Sequence, residues 1–522
     1  MKKSFYLLRL NTIVIGTILC GVIACSKNDV SDASDSSGDD SSSSSTTSGT
    51  VQIDSSFTTG TAEGSTKTGY NIDDVLDSSF TLTNTVTITF GNSVTINNPL
   101  NGNGVIVTTS GNNVIVNATV AGVAYKLSGS TSSGSFKIYS DKKYELILDG
   151  VSITNSSGPA INIQSKKTSF IVLSDNSTNT LTDGATYVST VDSEDIKGTI
   201  FSEGQLVFSG SGNLAVTGNY KHAICSDDYI HIHSGNITAT SAVKDAIHTN
   251  DAFIMDNGTV KLTSADDGIQ VDAGYAIVND GTLTISSVGK GITADNEDKD
   301  ASVTPYVVIN GGAINVTSSA NEGIESKGDL TINNGNITVK TSDDGINAED
   351  NIYINGGHIY SYATNNDGID ANGLMTITGG IVVAVGTKQP EASFDCDART
   401  FKITGGMIVG VAGATSGPTA NVSTVHSVVM GSGTSGQIIH IEDGNSNEVM
   451  TFKAPESFST LIYASSKLKA STTYKVYTGG SVSNGTDFNG LYLSGSYSGG
   501  TSSTSFTTTS MVTQIGGSIS RG

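Results

Sequence analysis

The 522-residue sequence predicts an all-β chain: a right-handed parallel β-helix of about 22–23 residues per coil with a β-rich C-terminal cap. Three observations carry that expectation. Short β-branched runs such as Val86-Thr87-Ile88-Thr89-Phe90, Leu146-Ile147-Leu148 and Ile161-Asn162-Ile163 alternate with Gly and Asn, and no window has a helical period. An Ala-Ile or Gly-Ile pair recurs with Ile at 224, 247, 269, 292, 324, 346 and 369, giving spacings of 23, 22, 23, 32, 22 and 23. The long interval holds one insertion around residues 298–305. A second marker falls between the pairs, at Ser234-Gly235, Asn257-Gly258, Asp280-Gly281, Gly311-Gly312, Asn334-Gly335, Gly356-Gly357 and Gly379-Gly380, and supplies a positive-φ corner. A unit this short cannot bury its own apolar face, so units must stack at the strand spacing of about 4.8 Å.

In chain order, residues 1–24 read as a lipoprotein signal peptide. Lys2, Lys3 and Arg9 precede an apolar run too short for a membrane span. Val22-Ile23-Ala24-Cys25 resembles a bacterial lipobox, which makes Cys25 the lipidation site and predicts an outer-membrane or cell-surface lipoprotein. Residues 25–69 are the lipidated Cys and a flexible Ser/Asp/Gly-rich tether. Residues 70–424 form the β-helix, 425–510 leave the period as a β-rich cap or accessory module, and 511–522 are a tail. Cys225 and Cys396 fall many coils apart, so no disulfide is expected.

The formal net charge of −22 excludes nucleic acid and anionic membrane surfaces as partners, leaving the lipid anchor as the membrane contact. Cations are the natural counter-partners. One corner of each coil carries Asp245, Asp266-Asp267, Asn321-Glu322, Asp343-Asp344 or Asn366-Asp367 just before the Ile pair. Past the Ile lie Asp227, Asp228, Asp251, Asp272, Asp295, Glu349 and Asp350, with Asp370 directly after Ile369. Both sets are expected to project from one rim. Two carboxylates about 5 Å apart repel by roughly 3 kcal/mol at an effective dielectric near 20. A stack of such pairs calls for cations between the rungs, and an all-oxygen ligand set suits Ca²⁺, more than one ion, better than Zn²⁺. The competing reading is that Asp and Asn only favour the corner's backbone conformation.

Lys290 interrupts this column, either as an internal counter-ion or as the base of a uronate lyase. His222, His231, His233 and His248 show no ligand spacing shared with Cys and read as surface residues. Lys261, Lys340, Tyr360 and Tyr362 fall at outward strand positions where they could meet a glycan.

The run Asn179-Thr180-Leu181-Thr182-Asp183-Gly184, the segment Gly198-Thr199-Ile200-Phe201-Ser202 and the repeated Asp-Asp-Gly-Ile corners resemble the calcium-binding, pectate-lyase-like β-helix carbohydrate-binding proteins of cellulose-degrading clostridia. The resemblance covers about residues 70–510. It implies non-catalytic binding of plant-type polysaccharide, acidic pectin or polygalacturonate and cellulose, with calcium in the corners. Lys290 departs from the pattern and puts a calcium at its rung in doubt. Two alternatives stay open: a pectate or polygalacturonate lyase or hydrolase on the same fold, resting on Lys290, Lys244 or Arg399, and a surface adhesin or spacer without a glycan ligand.

Overall fold

The computed structural model describes residues 47–75, 82, 84–188, 194–297 and 299–520; Cys25, the signal segment and the first part of the tether lie outside them. The repeat is a parallel solenoid with three walls. The first wall is a thirteen-stranded sheet that includes the short strands Ile247–Thr249, Ile269–Val271, Ile292–Ala294, Ile324–Ser326, Ile346–Ala348, Ile369–Ala371 and Phe394–Cys396. They stack in the register the spacing gives: Ile247 on Ile269, then Ile292, Ile324, Ile346, Ile369 and Phe394. The second wall contains Ala252–Met255, Tyr275–Val278, Tyr306–Ile309 and Asp329–Ile332, and the third Thr259–Ser264, Thr282–Ser287, Ala313–Ser318, Asn336–Thr341 and His358–Ala363.

Between the second and third walls each coil turns on a glycine with positive φ, among them Gly258, Gly281, Gly312, Gly335 and Gly357. The glycines sit on one another, and a Cβ at Gly258 would fall 2.6 Å from the Gly235 carbonyl oxygen. Any other side chain would therefore force the coils apart. Strand alternation sends Ile, Val and Leu inward into one continuous core, while Thr, Asn and Lys of the third wall face out. Cys225 and Cys396 are buried and unbridged, as the register requires.

Both ends are closed by antiparallel pairing. At the N-terminal end Val105–Ser110 folds back on Asn112–Ala118. At the other end Met407–Ala412 pairs antiparallel with Thr460–Ser465, which stops the parallel stack. The C-terminal module has its own sheet, built on Ile438–Asp443, Glu448–Lys453, Thr473–Thr478 and Leu491–Ser498, and a second core around Phe452, Tyr463 and Leu491. The expected tail is tied down as far as residue 520. Val512–Gln514 joins Ser427–Met430, and Ile519–Ser520 joins Thr415–Ser416.

The expected tether departs most from its composition. Val51–Gln52 pairs with the C-terminal module, and the chain then runs back over the second wall as a strap. A ladder of asparagines holds it. Asn355, Asn333, Asn310 and Asn279 donate to the carbonyls of Glu63, Ser65, Lys67 and Thr68 at 2.7–2.9 Å. The same asparagines bond one another from coil to coil. Lys67 sits 3.9 Å over the Tyr306 ring, and Gly69 lies against outward-facing Ile254 and Ile277. A Ser/Thr/Gly-rich segment orders here because side-chain amides satisfy its backbone, not because it buries much apolar surface of its own.

Candidate functional site

Chemistry concentrates on the outer face of the first wall. Because the wall's strands are in register, two columns of side chains run along it. One occupies the corner two residues before each Ile: His222, Asp245, Asp267, Lys290, Glu322, Asp344 and Asp367. The other points outward directly after each Ile: Cys225, His248, Gln270, Thr293, Glu325, Asn347, Asp370 and Asp395. A corner residue can meet the outward residue of its own coil, as Asp245 meets His248, or of the next, as Lys290 meets Glu325. One backbone geometry thereby builds several chemistries.

The corner carboxylates have a structural task as well. One oxygen of Asp245, Asp267 and Asp344 accepts the backbone N–H of the next coil's corner residue, Asp267, Lys290 and Asp367, at 2.6–3.1 Å; Asp367 does the same for Ala392. The second oxygen of each is left for other partners. At the C-terminal end these partners are carboxylates: ligand oxygens of Asp367, Asp370 and Asp395 all lie within 4.8 Å of one another. Asn347 bridges Asp344 and Asp370 at 3.3 and 2.9 Å. Burial, then the charges of Asp395 and Asp370, pushes Asp367 up to about 7; burial, then Asp395 and Asp397, does the same to Asp370. Asp344 is pushed up to about 8 by burial and by Asp370, Asp367 and Asp343. Asp267 rises to about 7 through burial and Asp245. Three converging hard carboxylate oxygens fit a Ca²⁺-class ion, which would supply the positive charge these groups lack.

Lys290 is an internal counter-ion. Its ammonium bonds Glu325, which also takes Lys327 at 2.6 Å and the Thr293 hydroxyl at 2.9 Å. Burial pulls Lys290 down, yet Glu325, Glu322 and Asp267 together carry it above the usual lysine range, so it holds its proton. Lys244, paired with Asp266 at 2.8 Å, is likewise raised by that bond. Neither offers a free base.

The acidic set past each Ile does not share a rim with the corner set. It starts from the far end of the same strands, about five residues along the chain, and of its members Asp272 reaches back to His248 at 3.1 Å. Asp227 pairs with Lys197 at 3.1 Å, Asp228 caps the Tyr229 N–H at 3.0 Å, and Asp295 caps Asn296 at 2.6 Å. Asp251, Glu349 and Asp350 are exposed. Among the described residues no convergent ligand group includes any of them. The intervening Gly does not reset the alternation; three strand residues separate the two sets.

Of the four histidines expected at the surface, His222 and His231 are buried and His233 and His248 are partly buried. His222 and His248 stack at 4.0 Å with Asp245 between their Nδ1 atoms, and His248 Nε2 lies 3.1 Å from Asp272. Burial pulls His248 down, but Asp245 and Asp272 raise it to about 9. His231 is buried between Asp74 of the strap and Asp256, at 2.8 and 3.0 Å. Asp395 and Glu325 were missed in the sequence. Asp370 after Ile369 and Asp395 after Phe394 mark the same position, with Phe standing in the Ile column.

On the third wall Lys261 and Lys340 are exposed, and Lys340 is in register with Tyr362. Tyr360 is only 6% exposed beneath the C-terminal module, and Tyr362 packs against that module and bonds Glu456 at 3.2 Å. Tyr360 is thus a core residue of the module junction rather than an open platform.

A family model described as "Carbohydrate-binding domain-containing protein" matches residues 110–317 and 296–474, well over half of the chain. The chain belongs to this carbohydrate-binding family. Both columns of the first wall fall inside the matched residues. A relative with the same description from Acetivibrio thermocellus is 36% identical over 104 residues, covering 19% of this chain and 36% of its own length. The match thus spans about a third of that relative. A solved structure titled as a gadolinium derivative of a polysaccharide lyase-like protein from C. thermocellum aligns at a TM-score of 0.36 and 24% identity, over 49% of this chain and 91% of the other.

Proposed function

We propose that this family member is a calcium-stabilised, non-catalytic binding protein for plant-type acidic polysaccharide such as polygalacturonate, held at the cell surface by a lipid on Cys25. The carrying observation is the group Asp367, Asp370 and Asp395 on an outward wall, where three carboxylates converge and, among the described residues, no cationic side chain pairs with them as Lys290 pairs with Glu325. A cation seated there retains coordination positions that a uronate carboxylate can fill. The solenoid adds length: equivalent positions recur about every 4.8 Å along the wall, so an extended chain can lie across several coils. Lys261 and Lys340 on the third wall are secondary contacts for carboxylates, and the open polar faces leave room for neutral cellulose-like chains. The paired lysines argue for binding without turnover.

The test is calorimetric titration of the protein with oligogalacturonate, in calcium and in EDTA, while ultraviolet absorbance of an unsaturated uronate product is followed. Heat in calcium, none in EDTA, a flat absorbance trace, and loss of the heat in Asp367→Asn/Asp370→Asn are the expected results. Equal heat in EDTA would remove calcium from the account. Rising absorbance would replace binding by lyase chemistry.

A further inference from the structure

We propose that His222, Asp245 and His248 form a separate binding site for a zinc-class transition-metal ion near the N-terminal end of the first wall. The two imidazoles come from successive coils, His222 from the corner column and His248 from the outward column, and their rings are 22° from parallel. Parallel stacking aims both Nδ1 atoms the same way, at Asp245 Oδ2, at 3.1 Å for His222 and 3.0 Å for His248. The three ligand atoms lie within 4.8 Å of one another, and all three side chains are buried or nearly so.

Two further observations point to a ligand rather than to a self-sufficient ion pair. His222 Nδ1 is sequestered from solvent and, although close to Asp245, makes no aligned hydrogen bond. A buried ring nitrogen without a partner is costly unless something occupies its lone pair. His248 is held from behind, with Nε2 3.1 Å from Asp272 Oδ2. That contact fixes the ring and keeps Nδ1 directed at the Asp245 oxygen, 3.0 Å away. A metal ion taken up between the two Nδ1 atoms and the Asp245 oxygen would replace the proton there and use the outer Asp272 carboxylate as ligating histidines generally do. Two imidazole nitrogens and one carboxylate oxygen, with a further position open, are the donor set of Zn²⁺, Co²⁺ or Ni²⁺ and not of Ca²⁺.

The other histidine pair shows what a closed arrangement looks like. His231 Nδ1 and Nε2 are taken by Asp74 and Asp256, and His233 Nδ1 and Nε2 by Asp256 and the Asp74 carbonyl. All four ring nitrogens have partners, and the group clamps the strap. The proposed site is independent of the calcium reading. It lies five coils from Asp367, roughly 24 Å at the coil spacing.

Cobalt titration of the metal-stripped, tag-free full chain tests it. One equivalent of Co²⁺ is expected to give visible absorption of a low-coordinate nitrogen-oxygen site, displaced by Zn²⁺ and untouched by excess Ca²⁺. His222→Gln and His248→Gln should each abolish the spectrum while melting temperature in calcium and the oligogalacturonate heat stay as in the wild type. His231→Gln/His233→Gln should keep it. No stoichiometric spectrum in the wild type, a spectrum retained by His222→Gln/His248→Gln, or loss that follows the His231 and His233 substitutions instead, would each overturn the proposal. So would displacement by calcium.

Discussion

Asp370 is paired in register with Asp395 above it and Asn347 below it, so each added coil brings another polar side chain to a place already short of water. The free-energy consequence is a pH dependence with a definite sign. Asp367 and Asp370 are pushed up to about 7 from the ordinary aspartate value of 3.8, by burial first and by neighbouring carboxylates second. Between those values the folded protein holds protons that the unfolded chain has released. Metal-free stability is therefore highest at the acid end of that window and falls as pH rises through about 7. We expect the melting temperature in EDTA to drop between about pH 5 and pH 8, and calcium to raise it more at the upper value. Asp370→Asn removes one like charge. In EDTA at about pH 8 it should melt higher than the wild type, and it should gain less from calcium. An unchanged EDTA melting temperature across that range would count against the whole carboxylate account. At this scale the sequence exposes the corner carboxylates through their Gly-Ile neighbours. It hides Asp395 behind Phe394, and it hides the burial of His222 and His248, because those two become neighbours only when coils stack.

The strap is an element whose stability lies in its partner. Each of Asn279, Asn310, Asn333 and Asn355 donates its amide twice, once to a strap carbonyl and once to the preceding rung, which is an asparagine for the last three and Asp256 for Asn279. Asn333→Ala removes the donations to Ser65 O and Asn310 and the acceptance from Asn355, leaving those groups to find water or go unpaired. A cost of about 1–3 kcal/mol in urea unfolding is expected, with faster proteolysis inside residues 51–75. If cleavage there stays as slow as in the wild type, the ladder does not hold the strap. Gly64 is the second point of control. Its φ is +83° and a Cβ would fall 2.7 Å from the Tyr353 ring, so Gly64→Ala should loosen the strap as well. The coils themselves were legible because Ile and Gly recur in each unit. The strap was not, since composition marks a segment that cannot fold alone and says nothing about one that folds onto something else. A trace existed: Asn279, Asn310, Asn333 and Asn355 precede successive corner glycines. That is the period of an amide ladder awaiting a backbone to bind.

For the molecule as a whole, a formal charge of −22 sets the terms on which an acidic glycan can approach. Protein and polyuronate would repel at long range, so under the proposed function the cation has to act both as ligand and as neutraliser. This separates two kinds of partner. Binding of oligogalacturonate should require calcium, and raising NaCl in EDTA should not restore it, because screening removes repulsion without supplying a bond. Binding of a neutral cello-oligosaccharide, if it occurs on the open polar faces, should be indifferent to EDTA. Length is the second whole-molecule property. Thirteen stacked strands at about 4.8 Å give a wall on the order of 60 Å, and the carboxylate rungs recur along it. Under the proposed function, a glycan that meets one cation gains the next at high effective concentration. Affinity in calcium should therefore climb steeply as the oligogalacturonate lengthens, until its span exceeds the acidic part of the wall. Equal affinity for short and long chains would confine recognition to a single coil, leaving the Asp367, Asp370 and Asp395 group to bind alone and the rest of the column to hold the corners of the solenoid.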